Sequence, residues 1–530
     1  MRPPCDEAFL RSMAGDQPCQ ASSAPWILAA AILGSSMAFI DSTVVNVALP
    51  ALQSTFHASI IDVQWVVEAY GLFLGALILV GGSSGDLYGR RRIFVIGTAL
   101  FALASVMCGL AQSIDQLIAA RAAQGIGAAL LTPGSLAIIS ASFPEKDRGR
   151  AIGTWSGFTA ITTALGPVLG GWLIEHVSWR WVFFINLPLA LAVIVISFWH
   201  VPESRGSEAK LDVWGASIVT VGLGTLVYGL IESPRLGWGD PRVVGSLIIA
   251  AICLTAFPLI EARAATPMVP PKLFQSRTFA GANLLTLFLY AALGIFFFLF
   301  PLNLIQVQGY SATATGAAAL PMILLMFSLS RWAGGLVRRF GSRRPLIIGP
   351  IIAALGFTLF ALPGVGGSYW TTFFPAFLLL GFGMTVSVAP LTTTVMGGVN
   401  QRLAGTASGI NNAVARVAGL LAIAVFGIVM VNAFAARLDH KLALIKVPQG
   451  VRDEIRSDRT KLAAITLPSD LSLEFKKRAQ ADVSDAFVFA FRVVVLSCAA
   501  LAIASASIAA ASIDASRSPS PGMPRNRTEA

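Results

Sequence analysis

The chain has 530 residues, of which 55% are hydrophobic and only 12% charged, and its mean hydropathy is +0.73. No polar segment is long enough for a soluble domain, so the composition describes a polytopic membrane protein. The net charge of +11 does not point to nucleic acid, because the basic residues are spread over short connections instead of clustering on one polar unit.

Crossing ~30 Å of hydrocarbon takes ~20 apolar residues per helix. Fourteen such runs are predicted, at 26–49, 61–81, 93–112, 117–140, 151–174, 181–200, 213–232, 243–261, 279–301, 312–333, 345–363, 371–396, 405–431 and 486–512. The first 23 residues include Asp6, Glu7 and Asp16 and are too polar for a cleaved signal, so the first run itself directs insertion. Most of the 38 Lys and Arg lie in the tails and in alternate loops, among them Arg90 to Arg92, Lys146, Arg148, Arg150, Arg338, Arg339, Arg343 and Arg344. The short loops on the other side carry Arg180, Arg235 and Arg242. By the positive-inside rule this asymmetry places both termini in the cytosol of a cell whose inner or plasma membrane the chain spans.

The last outer loop, 432–485, carries many charges of both signs, as long loops translocate largely regardless of charge. Its apolar residues Leu438, Leu442 and Ile445 fall at helical spacing, which fits short surface helices as well as a solvated loop. The Ser/Pro/Arg-rich tail beyond Ile513 is expected to be disordered. Cys5 and Cys19 lie in the N-terminal tail, and Cys108, Cys253 and Cys498 in spans. No cysteine spacing fits zinc or a disulfide framework.

Internal repeats organise the chain. The charged turn Gly82-Ser-Ser-Gly-Asp86-Leu-Tyr-Gly89-Arg90-Arg91-Arg92 returns in degenerate form as Gly334-Gly-Leu-Val-Arg338-Arg-Phe-Gly341-Ser-Arg343. Gly153-Thr-Trp-Ser-Gly157 returns as Gly405-Thr-Ala-Ser-Gly409 at the same offset, and Gly125-Ile-Gly127 with Pro133 as Gly381-Phe-Gly383 with Pro390 at nearly the same one. The expected fold class is all-α, with two pseudo-symmetric six-helix bundles and a two-helix central insert. The expected divisions are a tail at 1–24, a bundle at 25–200, the insert with its linkers at 201–278, a second bundle at 279–512 and a tail at 513–530. Duplicated bundles with matching charged turns are the plan of alternating-access transporters.

Two acidic residues fall well inside apolar runs. Asp41 and Glu68 both lie ~10–12 Å below the outer surface at 1.5 Å of rise per residue, a depth that adjacent helices can share. An intramembrane carboxylate costs ~2.5–3.5 kcal/mol on insertion scales and marks a proton or ligand path by default. The structural alternative is a local hydrogen bond, from Thr43 or Asn46 for Asp41. Arg121 is a fixed cation whose motion relative to a carboxylate would tune proton release, or else an arginine snorkelling to the interface. Arg416 is similar but has no acidic residue in its own span. Gly153, Gly157, Ala160, Ala164, Pro167 and Gly171 form a small-residue stripe that lets helices approach, and in Gly166-Pro167-Val-Leu-Gly170-Gly171 the proline kink sits between glycines. Asp86 is placed to cap or salt-bridge neighbouring helix ends, and Arg90 to Arg92 serve equally as positive-inside anchors.

These residues together resemble the major facilitator superfamily, specifically its fourteen-helix drug:proton antiporter branch. Gly82-x-x-x-Asp86-x-x-Gly89-Arg90-Arg91 is similar to the family's loop between helices 2 and 3. Arg121 with Gln124 and Gly125 resembles its helix-4 motif, and Gly166-Pro167 with Gly170-Gly171 its antiporter motif. Asp41-Ser-Thr43-Val-Val-Asn46-Val-Ala48-Leu-Pro50 resembles the helix-1 signature of the branch, and Trp179-Arg180-Trp181 leading to Asn186-Leu-Pro188 is also similar. The resemblance implies that Asp41 carries the coupling proton, that Asp86 is a conformational-switch residue, and that the fifth span lies between substrate cavity and helix packing. Leu87 stands where the family commonly has arginine, and Arg338 replaces the acid of the second turn. Spans 10 and 13 lack the carboxylates that some multidrug relatives use, which leaves neutral or monocationic compounds as the expected substrates.

The leading expectation is a proton-driven exporter of small amphipathic compounds, with protons and the bilayer as its other partners and no cofactor, metal or nucleic acid. The alternatives are an exporter dedicated to one host metabolite and, from another class, a polytopic membrane enzyme. His57, His176, His200 and His440 are scattered without metal spacing, which disfavours the enzyme. No Gly-Lys dipeptide occurs, so there is no phosphate-binding loop for an ATP-driven pump.

Overall fold

The computed structural model describes residues 23–514 apart from 207–211, 265–266, 400–402, 444–454, 457 and 466–471. Among these residues, fourteen helical spans are long and apolar enough to cross a membrane. They are α1 Ala24–Phe56, α2 Ile60–Tyr88, α3 Arg90–Leu110, α4 Ile114–Ser142, α5 Glu145–His176, α6 Trp181–His200 and α7 Val213–Leu236. The second seven are α8 Pro241–Arg263, α9 Arg277–Val307, α10 Ala312–Phe340, α11 Arg343–Phe360, α12 Tyr369–Gly397, α13 Ala404–Ala443 and α14 Leu473–Ser512. In hydrocarbon a backbone must satisfy its own polar groups, which leaves helix as the only form these runs can take without closing a barrel. Breaks fall where proline interrupts the hydrogen-bond ladder. Helix α6 is interrupted at Ile185, three residues before Pro188, α9 ends in a π turn at Asn303–Val307 after Pro301, and α10 is broken at Ala319 before Pro321.

Residues 82–92, expected as a loop, are almost entirely helical. Helix α2 continues through Tyr88, α3 begins at Arg90, and the whole reversal is made at Gly89 with φ of +112°, a backbone region open to glycine and costly for other residues. The second copy repeats the device, with α10 running to Phe340 and Gly341 at φ of +75°. These two turns define the arginine-rich face of the molecule.

The outer loop is also shorter than predicted, because α13 extends to Ala443 and α14 starts at Leu473. The extensions pair through Arg437 with Asp485 at 3.1 Å and Lys441 with Asp482 and Asp485 at 3.8 and 3.2 Å. Leu438 and Leu442 are buried, whereas Ile445 lies outside the described residues. So do residues 1–22, with Cys5 and Cys19, and the segment after residue 514.

The two bundles are built by different packing devices. In the first, glycines bring backbones together: a Cβ on Gly81 would meet the Ala129 carbonyl, and Gly97 and Gly127 face one another across α3 and α4, the small-residue packing that membranes favour. In the second, Phe296, Phe300, Phe357, Phe360, Phe373 and Phe377 form an aromatic core, with Phe296 and Phe360 centroids 4.6 Å apart. Of the insert, α7 wedges between the bundles: Leu223 packs with Leu72 of α2 and Leu420 of α13. Trp65 Nε1 donates to Glu232 at 2.9 Å, and Arg235 lies 3.6 Å from Asp62. Helix α8 leaves Ile248, Ile252 and Leu259 exposed, as a helix facing lipid does.

Candidate functional site

Asp41 on α1 and Arg121 on α4 meet in the interior of the first bundle, 0% and 1% exposed. Arg121 Nη1 donates to Asp41 Oδ2 at 2.5 Å and to Gln124 Oε1 at 2.6 Å. Gln124 Nε2 donates to Asp41 Oδ1 at 2.8 Å and to Ser105 Oγ at 2.9 Å. Arg121 Nε donates to the Val66 carbonyl at 3.1 Å, and its guanidinium lies 4.2 Å from the Tyr70 ring centre. Arg121 is therefore paired, not snorkelling, and the alternative of a local hydrogen bond to Asp41 from Thr43 or Asn46 is not found among the described residues. Thr43 Oγ1 donates instead to Phe39 and Ile40 carbonyls at 3.1 and 3.0 Å, and Asn46 Oδ1 has no partner among the described residues.

Gln124, Ser105 and Tyr70 complete the cluster and carry no charge that would single them out in an apolar run. For Gln124 the sequence signals are its place in the helix-4 motif with Arg121 and its i,i+3 spacing from that residue, which puts both on one helix face.

Glu68 is fully buried, and neither carboxylate oxygen has a hydrogen-bond partner among the described residues. It does not join the Asp41 cluster. Its neighbours on α2 face α13, since Gln64 Nε2 donates to the Ile423 carbonyl at 3.0 Å and Gly71 lies against Leu420. Glu68 thus sits at the seam between the bundles. Arg416 packs its stem near Gly75 on the same seam, with no acidic partner among the described residues.

A cavity of about 1230 Å³ lies between the bundles, walled by α1, α5, α9 and α10. Thr43, Asn46 and Val47 contribute from α1, Gly153, Gly157, Ala160, Thr163 and Pro167 from α5, Phe297, Phe300 and Pro301 from α9, and Thr315, Met322, Met326, Phe327 and Arg331 from α10. Of the Phe296 to Phe298 run, only Phe297 reaches it; Phe296 and Phe298 are buried in the second bundle. The stripe on α5 divides in two. A Cβ on Gly153 or Gly157 would meet nothing within 4 Å, so these glycines widen the cavity instead of packing. Gly166 and Gly170 press on Thr43 and Val44 of α1, and Gly171 on the Ala312 backbone of α10. Near the same end, the Thr313 amide donates to Glu175 at 3.1 Å and Gln306 donates to Gln53 at 2.8 Å. These contacts close the cavity away from the arginine-rich face, towards which Arg150 and Arg331 line it.

At the charged turn, Asp86 accepts from Arg90 at 2.9 Å within the turn itself. The turn is braced by the chain after α6: the Arg90 amide donates to the Ser204 carbonyl at 2.9 Å, and the Gly206 amide to the Asp86 carbonyl at 2.9 Å. Glu203 accepts the Arg91 and Arg92 amides at 3.0 and 3.1 Å, placing a carboxylate on the first turn of α3, where the helix dipole favours it. Glu203 was not legible as a partner, because its position in a linker gives no period to read. Gly82, a turn before Asp86, faces Pro133 of α4.

The family model described as Major Facilitator Superfamily matches residues 31–423. The chain is similar to the tetracenomycin C resistance and export protein of Streptomyces glaucescens, 35% identical over 80% of this chain and 79% of that one. It is also similar to the multidrug resistance protein Stp of Mycobacterium tuberculosis, 36% identical over 77% and 76% of the two chains. Among solved structures, a bacterial homolog of the human lysosomal transporter Spinster, in an inward-facing and unoccupied conformation, superposes with a TM-score of 0.65 at 18% identity, covering 93% of this chain and 99% of that one.

Proposed function

Because the chain belongs to the Major Facilitator Superfamily, we propose that it exports small amphipathic compounds in exchange for protons by alternating access. In this reading the arginine-rich face and both termini lie in the cytosol, as the positive-inside rule requires, and the cavity is open to that side. The observation that carries the reading is one helix serving two sites. Helix α1 presents Asp41 to Arg121 and, within two turns, Thr43, Asn46 and Val47 to the cavity.

Protonation of Asp41 removes the charge that holds α1 to Arg121. Arg121 keeps the Gln124 side chain, the Val66 carbonyl and the Tyr70 ring, so α4 keeps its place while α1 is released. Movement of α1 against α5 then alters the cavity wall that they share. The names of the relatives support a drug-sized cargo, and the cavity exceeds the roughly 300–1,000 Å³ of ordinary ligand pockets, which favours a range of compounds over one tightly fitted metabolite. Glu68, buried and without a hydrogen-bond partner among the described residues, is the second carboxylate that can take a proton in this scheme.

Reconstituted protein under an imposed proton gradient should concentrate a fluorescent amphiphile, and Asp41→Asn should abolish that accumulation while preserving downhill exchange. Uphill accumulation by Asp41→Asn at equal reconstitution would remove Asp41 from the coupling role. Loss of coupling in Glu68→Gln alone would move it to α2.

A further inference from the structure

We propose that Arg331 makes the cavity selective for aromatic amphiphiles carrying a negative charge, a carboxylate, phenolate or sulfonate. This rests on the export reading above and deepens it by naming the substrate class. From sequence, Arg331 is one more basic residue at the inner edge of its span. The structure places it on the cavity wall of α10, nine residues before the helix ends at Phe340, or ~13 Å along the axis at 1.5 Å per residue. A charged side chain at such depth is retained where it faces water or a partner. Among the described residues, no carboxylate lies within salt-bridge distance of Arg331 and no Asp or Glu lines the cavity. The missing counter-charge is the one an anionic substrate brings.

The rest of the wall describes the remainder of that molecule. Phe297, Phe300 and Phe327 offer ring faces, and Met322 and Met326 supply an adaptable apolar surface. At the closed end, Asn46 and Thr315 add polar side chains to the wall. The guanidinium fork can donate two hydrogen bonds to the oxygens of a carboxylate or of a tetrahedral sulfonate, a geometric match that a point-charge ammonium lacks. A monocation, one of the substrates expected from sequence, meets Arg331 as a like charge with no acid among the described lining residues to offset it.

The test uses full-length protein in nanodiscs and two probes of one ring skeleton, anionic 8-anilinonaphthalene-1-sulfonate and neutral N-phenyl-1-naphthylamine, with empty nanodiscs as background. Arg331→Gln should weaken sulfonate binding roughly tenfold, the scale of one charge-assisted hydrogen bond, while neutral-probe affinity stays within about twofold. Arg331→Lys should fall between. Unchanged sulfonate binding, or equal loss for both probes, overturns the proposal and leaves the export reading standing. Loss of the difference when phosphatidylglycerol is added identifies a lipid headgroup as the occupant and overturns it too. If wild type binds neither probe, the export reading itself fails.

Discussion

Asp41 and Arg121 neutralise one another where neither meets solvent, and that fixes what substitution at either does. Removing one partner of a buried pair leaves an uncompensated charge and costs ~3–5 kcal/mol. Arg121→Met should therefore lower the thermal unfolding midpoint well below that of wild type, and adding Asp41→Asn to it should restore most of the loss. Tryptophan-fluorescence melts of the single and double variants measure this coupling, and additive effects would show that the pair is not energetically linked. Both charged residues were legible in the sequence because a charge in an apolar run is expensive and therefore conspicuous. Gln124 and Ser105 were less so, since an uncharged polar side chain costs less and its partners lie on other helices.

At the scale of the element, α5 holds two kinds of glycine that look alike in sequence. Gly157 faces open cavity, whereas Gly171 lies against the α10 backbone. Gly157→Ala should keep transport within about twofold of wild type, while Gly171→Ala, which must push α5 from α10, should reduce it roughly tenfold, in line with overpacking costs of ~1–3 kcal/mol. Vesicle efflux assays at matched expression compare the two, and equal effects would mean that this contact does not close the cavity. Helical periodicity revealed the stripe; it could not say which of its members has a neighbour.

Over the whole molecule, the charged turn is tied through Ser204, Gly206 and Glu203 to the linker after α6, while two turns before Asp86 the same helix α2 already touches the opposite bundle, where Gly409 of α13 lies against Leu79. Asp86 acts as a switch if it contacts that bundle only when this face closes. Asp86→Asn should then slow transport and hold the cavity open. In a cysteine-free background, a cysteine at Ser156 on the cavity wall should react with an impermeant thiol reagent from the cytosolic side, faster when Asp86→Asn is present. Labelling only from the outside would reverse the proposed orientation, and an unchanged rate with unchanged transport would return Asp86 to a local turn residue.

The count of spans, the duplication and the two charged turns followed from the sequence alone, because the hydrocarbon layer imposes a length and a polarity on each run, residue by residue. Helix ends did not: the turn at 82–92 shrank to Gly89, and α13 and α14 grew into the outer loop, since capping and interhelical ion pairs, not hydropathy, decide where a helix stops. The tertiary structure alone decided which side chains share a space. It joined Asp41 to Arg121 and Gln124, left Glu68 apart on the seam with α13, and set Arg331, near the end of the predicted run 312–333, in the cavity wall. Those outcomes depend on the rotation of each helix about its axis, which is set by packing against helices distant in sequence and leaves no local period to read.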